Sequence, residues 1–328
     1  MLPVEQSDTD APHAIYFRRR FSVADLATVQ DVVLALRCDD GGVVYLNGQE
    51  IARMNLATPA AHDTLASAVS SYDDGQEEIL FAVDPKLLQA GENILAVEVH
   101  QAKQGSFDAR FDLALGTNVI ASFTQIAGQK DAPGRIDALI ALGRLGAAAA
   151  TTVGTIEPLL NDDNPLVRVR AAEALALIAP ERLAEHPLPE PRDEVESKMR
   201  ERFAQQLNEH AWEACVPLGQ PAAQYEQAAR FLTIACLLAP KEASLINSRG
   251  LAELRTGKLD AAFESFTQSQ SMVGENAFDT LLLALTHQQK GETEKFQQML
   301  AKARELGAKV TNQEQKDCFD ELLSQVKE

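Results

Sequence analysis

The sequence predicts a multidomain β + α protein: an N-terminal antiparallel β-sandwich, then all-α helical repeats. Three observations carry this. Apolar residues alternate with period two from Tyr16 to Gly116, the period turns helical from about Ala132, and residues of one kind recur every 34 positions beyond residue 195. At 328 residues, 45% hydrophobic and 24% charged, the chain exceeds one ordinary core and has a globular composition.

In NILAVEVHQ, Leu95, Val97 and Val99 point one way while Ala96, Glu98 and His100 point the other. Runs at 16–21, 29–38, 43–46, 49–53, 77–83 and 109–115 complete six or seven strands over about 100 residues, the density of a sandwich. Asn47-Gly48 between VVYL and QEIAR is the preferred two-residue type I′ turn, because both residues accept positive φ. DPKLLQAGEN (84–93) reads as a short helical turn. A hairpin of 94–100 with 109–115 that opposes Val97 with Phe111 would set Glu98 across from Arg110 as a cross-strand ion pair.

Helices are expected at 134–146, 153–161 and 162–180, the third N-capped by Asp162 or Asp163 with Pro165 in its first turn. The alternating prolines of HPLPEPRDE (186–194) make a semi-rigid linker. The repeat then sets Trp212, Ile246 and Thr280 at one spacing, with Val216, Gly250 and Ala284, and with Leu232, Phe266 and Leu300. A period of 34 with small residues at close-packing positions is the tetratricopeptide (TPR) signature of stacked helix pairs. Pro217 and Pro221 break the first unit, Gly257 and Gly291 mark turns, and a helix at 313–327 caps the stack. Such stacks bind extended peptides on their first helices. That face would present Asn247, Leu251, Leu254 and Arg255 in the second unit, with Leu281, Leu285, Gln288 and Gln289 in the third.

Two resemblances sharpen the picture. YFRRRF, CDDGGVVYLNGQEIAR, LLQAGENILAVEVHQ and SFDARFDLAL together resemble a galactose-binding-like jelly-roll domain attached to some bacterial metallophosphoesterases. NDDNPLVRVRAAEALALIA resembles a HEAT-type repeat, and the C-terminal part is similar to TPR tails of large bacterial signalling proteins, kinases among them. The layout is then a flexible N-terminus (1–14), a sandwich (15–120), a HEAT-like bridge (132–185), the proline-rich linker (186–194) and a TPR solenoid with its capping helix (195–328).

The jelly-roll resemblance implies a structural calcium, for which Asp39 and Asp40 are the candidate ligands. The residues themselves favour a plainer role, satisfying loop N–H groups. His100, Asp108 and the loop between them are the candidate ligand rim, for glycan or cation. Arg18, Arg19 and Arg20 are expected to pair with local carboxylates. Cys38, Cys215, Cys236 and Cys318 have no metal-like spacing, and three of them sit in helical apolar patterns as small hydrophobes.

A formal charge of -18, with 8 Lys and Arg against 18 Asp and Glu in residues 1–120, argues against a nucleic-acid partner. No apolar run reaches the roughly 18 residues of a membrane span, and no catalytic constellation or cofactor motif stands out. The expected function is therefore a non-catalytic interaction protein: a peptide or protein partner in the TPR groove, with carbohydrate or a cation at the sandwich. The alternative is an accessory or regulatory segment of a larger enzyme, phosphoesterase- or kinase-linked. A carbohydrate-active enzyme using Asp39, Asp40 or Glu98 ranks below both, because adjacent acids do not give the carboxylate separation glycosidases need. Compartment stays open: the jelly-roll resemblance implies the cell envelope, reached through a signal removed earlier, and the unpaired cysteines point to the cytoplasm.

Overall fold

The period-two segment folds into seven strands among the described residues of a computed structural model, which are 13–67, 78–103, 110–185 and 187–326. They are β1 (Ala14–Val23), β2 (Val32–Cys38), β3 (Gly41–Leu46), β4 (Gln49–Met54), β5 (Ile79–Val83), β6 (Gly91–His100) and β7 (Phe111–Thr117). Two antiparallel sheets result, in the orders β1-β6-β3-β4 and β5-β2-β7. Their inner faces share one core that includes Leu34, Leu36, Val44, Leu46, Val97 and Val99. Each such side chain, taken fully from water, contributes about 1.5–3 kcal/mol. The alternation read in β6 is thus the in–out alternation of a strand with one face buried.

The Asn47-Gly48 turn has φ of 53° and 85°, the positive pair a type I′ hairpin requires. A register shift at Val44/Tyr45 marks a bulge in the β3–β4 ladder. The expected hairpin of β6 with β7 does not form. β6 lies between β1 and β3, so Glu98 sits between Tyr16 and Val43. β7 pairs with β2 in the other sheet, and the Arg110 carbonyl instead accepts the Asp39 N–H. Both strands need an apolar neighbour across the core, and placing them in opposite sheets gives each one.

Helix α1 (Val119–Gly128) follows, ahead of the segment in which helices are expected, on the apolar spacing of Ile120, Phe123 and Ala127. Its Asn118 cap residue makes no capping bond of its own, and Asp31, at the foot of β2, accepts the N–H groups of Val119 and Ile120 at 2.7 and 3.1 Å. Next come α2 (Arg135–Leu145), a 3-10 segment, and the one-turn α3 (Val153–Ile156). The expected helix at 153–161 therefore stops after a turn, and Pro158 starts another 3-10 segment. Arg135–Asn161 taken together is long and apolar enough by composition to cross a membrane, which the sequence reading did not anticipate. That run is not one rod: Gly146 has a φ of 54° and Ala149 is non-helical, while Leu139 and Leu142 are fully buried.

By packing, the chain divides into two units, Met1–Thr155 and Ile156–Glu328. The boundary falls inside the segment read as a HEAT-like bridge. In the second unit α4 (Pro165–Ile178) is capped by Asn164, whose side chain accepts the Leu166 N–H, and not by Asp162 or Asp163. Asp162 accepts the N–H of Asn164 one step earlier. α5 (Pro180–Glu185) is short, and α6 (Glu194–Cys215) starts at an Asp193 cap. Arg168 and Arg200, both buried, donate to the two oxygens of buried Glu196 at 2.9 and 2.6 Å. This arrangement ties α4 to α6.

Three pairs then stack: α6 with α7 (Ala222–Leu238), α8 (Ala243–Arg255) with α9 (Leu259–Val273), and α10 (Ala277–Gln289) with α11 (Thr293–Gly307). The starts of α8 and α10, and of α9 and α11, are each 34 residues apart. Leu232, Phe266 and Leu300 are buried, as are Ala228, Ala262 and Phe296, so the repeat read in sequence is a repeat of core positions. Gly257 and Gly291 turn the chain at φ of 76° and 74°, where side chains are disfavoured. The terminal helix α12 (Gln313–Leu323) buries Phe319 and Leu322 against the stack.

Candidate functional site

Only part of the expected groove faces outward. Leu251, Leu254 and Leu281 are buried in the helical core, and Leu285 is 5% exposed. α6, α7 and α9 pack on α8, and α9 and α11 pack on α10, so these leucines hold the stack together. Asn247 is spent as well: its amide donates to Asp279 at 2.5 Å, and that buried carboxylate also accepts from Ser269 and Asn276.

Arg255 and Gln288 do meet at one place. With Leu218, Leu285, Gln289 and Gln325 they line a cavity of about 450 Å³. The Arg255 guanidinium donates to the carbonyls of Cys215 and Val216 at 2.7 and 3.1 Å, and to the Gln325 side chain at 2.6 Å. It thereby closes the C-terminal end of α6, where a cation opposes the helix dipole. Burial pulls its pKa below the ordinary arginine value. Sequence reasoning missed Leu218 and Gln325. Leu218 lies in the loop after α6 and Gln325 follows α12, and Gln325 donates to the Val216 carbonyl across 109 residues of chain. No periodicity marks such positions.

In the sandwich, Asp39 and Asp40 are both 5% exposed. The Asp40 carboxylate accepts the Ala102 N–H at 2.7 Å, and its carbonyl accepts the Asn55 amide at 3.1 Å. These bonds give Asp40 the backbone-satisfying role. Among the described residues, no group of three or more His, Cys, Asp and Glu gathers as a metal cluster. His100 lies on the outer face of its sheet, covered by residues 55–67, and not on a rim. It is fully buried, with Nδ1 2.7 Å from the Thr64 carbonyl and Nε2 3.5 Å from Glu98. Asp108 lies outside the described residues. Of the three arginines, Arg20 pairs with Glu92 at 3.6 Å, both well exposed.

The outer face of the β1-β6-β3-β4 sheet carries a larger hollow, about 700 Å³, that the sequence did not single out. The register puts Tyr16 beside Glu98, and Arg18 and Tyr45 on either side of Ala96. Small Ala96 leaves a floor between taller side chains, and Tyr16 is 56% exposed at the edge. Burial, with the charge of Glu98, raises the Tyr45 phenol above its ordinary pKa.

No family model and no curated protein matches the chain. Among solved structures it is similar to a β-D-mannosidase from Dictyoglomus thermophilum at 21% identity, over 26% of this chain and 9% of that one, with a TM-score of 0.19. It is also similar to a thermophilic TPR protein of Thermus thermophilus at 20% identity, over 62% of this chain and 99% of that one, with a TM-score of 0.28. The chain thus spans less than a tenth of the mannosidase.

Proposed function

We propose that the protein is a non-catalytic interaction protein whose helical unit holds an extended peptide segment of a partner. One observation supports this most directly: the exposed side chains of Gln289 and Leu218 line the cavity at Arg255. A glutamine amide both donates and accepts, which suits a peptide backbone, and Leu218 offers an apolar contact for one side chain. In this reading the first unit is a jelly-roll module and the helices of residues 156–185 are a HEAT-like brace, both accessory to the groove. The same arrangement serves a regulatory segment of a larger enzyme equally well.

Panning a random-peptide library against the full chain tests the proposal. Peptides selected by the wild type should bind in solution and lose at least tenfold affinity in Leu218→Arg and Gln289→Ala, at positions outside the folded core. Failure to select any peptide, or binding indifferent to both substitutions, would overturn it.

A second reading gives the sandwich a glycan, favoured by exposed Tyr16 and by Tyr45 flanking the Ala96 floor. Sugar arrays probed with the wild type and Tyr16→Ala decide it. A signal retained in the variant excludes this face.

A further inference from the structure

We infer that His100 and Glu98 form a binding site for a first-row divalent metal ion such as Zn²⁺ at the inner end of the outer-face hollow. Nδ1 of His100 lies 2.7 Å from the Thr64 carbonyl, which only accepts, so Nδ1 carries the hydrogen. Nε2 then presents its lone pair. That atom is buried without a hydrogen-bond partner, in a side chain with no exposure at all. What it faces is another acceptor, the Glu98 carboxylate, with 3.5 Å between Nε2 and Oε2.

Two acceptors facing one another, one of them fully buried, repel. Protonating Nε2 does not resolve the arrangement, because 3.5 Å is longer than an N–H···O bond, which spans about 2.7–3.2 Å. A metal ion does. Zinc binds imidazole nitrogen and carboxylate oxygen at about 2.0–2.2 Å, and two such bonds at a tetrahedral angle set the donors about 3.3–3.6 Å apart. The Thr64 carbonyl already plays the part of the outer group that fixes tautomer and ring orientation in metal-binding histidines.

The fold builds the site from both ends. His100 and Glu98 are alternate residues of β6, so both project from the outer face of the sheet. Residues 55–67 close over the His100 end: Ala66 donates to the Gln101 carbonyl, and a β-carbon on Gly41, beside His100 in register, would come within 2.8 Å of Ala66 Cβ. Glu98 is 24% exposed and lines the hollow, so water or a donor atom of a molecule in the hollow completes the coordination. An imidazole with one carboxylate selects borderline ions such as Zn²⁺, Cu²⁺ or Ni²⁺ over Ca²⁺, which asks for six or more oxygens.

The test is isothermal titration of the full chain with Zn²⁺, alongside Co²⁺ uptake followed by its visible absorption. His100→Asn keeps an amide N–H where Nδ1 donates and removes Nε2, and Glu98→Gln changes a partly exposed side chain, so the second variant carries the test if the first fails to fold. One site per chain is expected in the wild type, weakened at least tenfold in each folded variant. Absence of uptake by the wild type, or uptake unchanged in both variants, overturns the proposal.

Discussion

Gly250 lies against the ring of Phe266, so close that a β-carbon on Gly250 would come within 2.5 Å of Cε1. The same two repeat positions hold Val216 with Leu232 one unit earlier and Ala284 with Leu300 one unit later. The larger ring is matched by the smaller residue in the middle unit. Gly250→Ala should therefore destabilise: overpacking costs about 1–3 kcal/mol, partly offset by about 1 kcal/mol of helix propensity. Adding Phe266→Leu recreates the pairing of the last unit and should recover stability. Urea denaturation checks both, and a double variant no better than the sum of the single ones contradicts the compensation.

Glu196 pairs with Arg200 and holds Arg168 as well, both guanidiniums being nearly without exposure, while Asp193 reaches Arg168 only at 3.5 Å. Glu196→Gln leaves two buried cations with one neutral acceptor between them. Breaking such a buried group costs about 3–5 kcal/mol. The denaturation midpoint should fall accordingly with its slope unchanged, whereas the exposed pair Lys198–Glu194 should change nothing measurable on removal.

Asn93 has no exposure and spends its whole amide. Its oxygen accepts from Gln89 N–H and the Asn47 side chain, and its nitrogen donates to the Gln89 and Gly91 carbonyls. Asn93→Leu would strand several of these partners, at about 1–3 kcal/mol for each buried group left unmade. Loss should appear as early melting of the sandwich, and hydrogen exchange localises it to the Asn47 hairpin.

Burial pushes the Cys38 thiol up to about 12 and those of Cys215 and Cys236 to about 11, each from an ordinary value of 9.0. A disulfide-exchange reagent at pH 8 should leave these three unreacted until urea is added, since the thiolate is the nucleophile. The sign for stability follows. Folded pKa values above the unfolded ones give a contribution present below about pH 9 and lost as pH rises to about 11 for Cys215 and Cys236 and about 12 for Cys38. Cys236→Ala should flatten part of that alkaline slope.

The sequence by itself determined what depends on neighbours along the chain. Alternation in β6, the positive-φ pair Asn47-Gly48, the proline breaks at 217 and 221 and the 34-residue recurrence of buried positions are local or periodic, and each names its element without reference to the rest. Tertiary structure alone decided what depends on residues far apart in the chain. Asp31 caps α1 from the foot of β2, β7 joins β2 in place of β6, and neighbouring helices cover the leucines that periodicity assigned to a groove. His100 passed from a rim residue to a buried one for the same reason: residues 55–67 close over it, and a strand's alternation says which way a side chain points but not what lies on top of it.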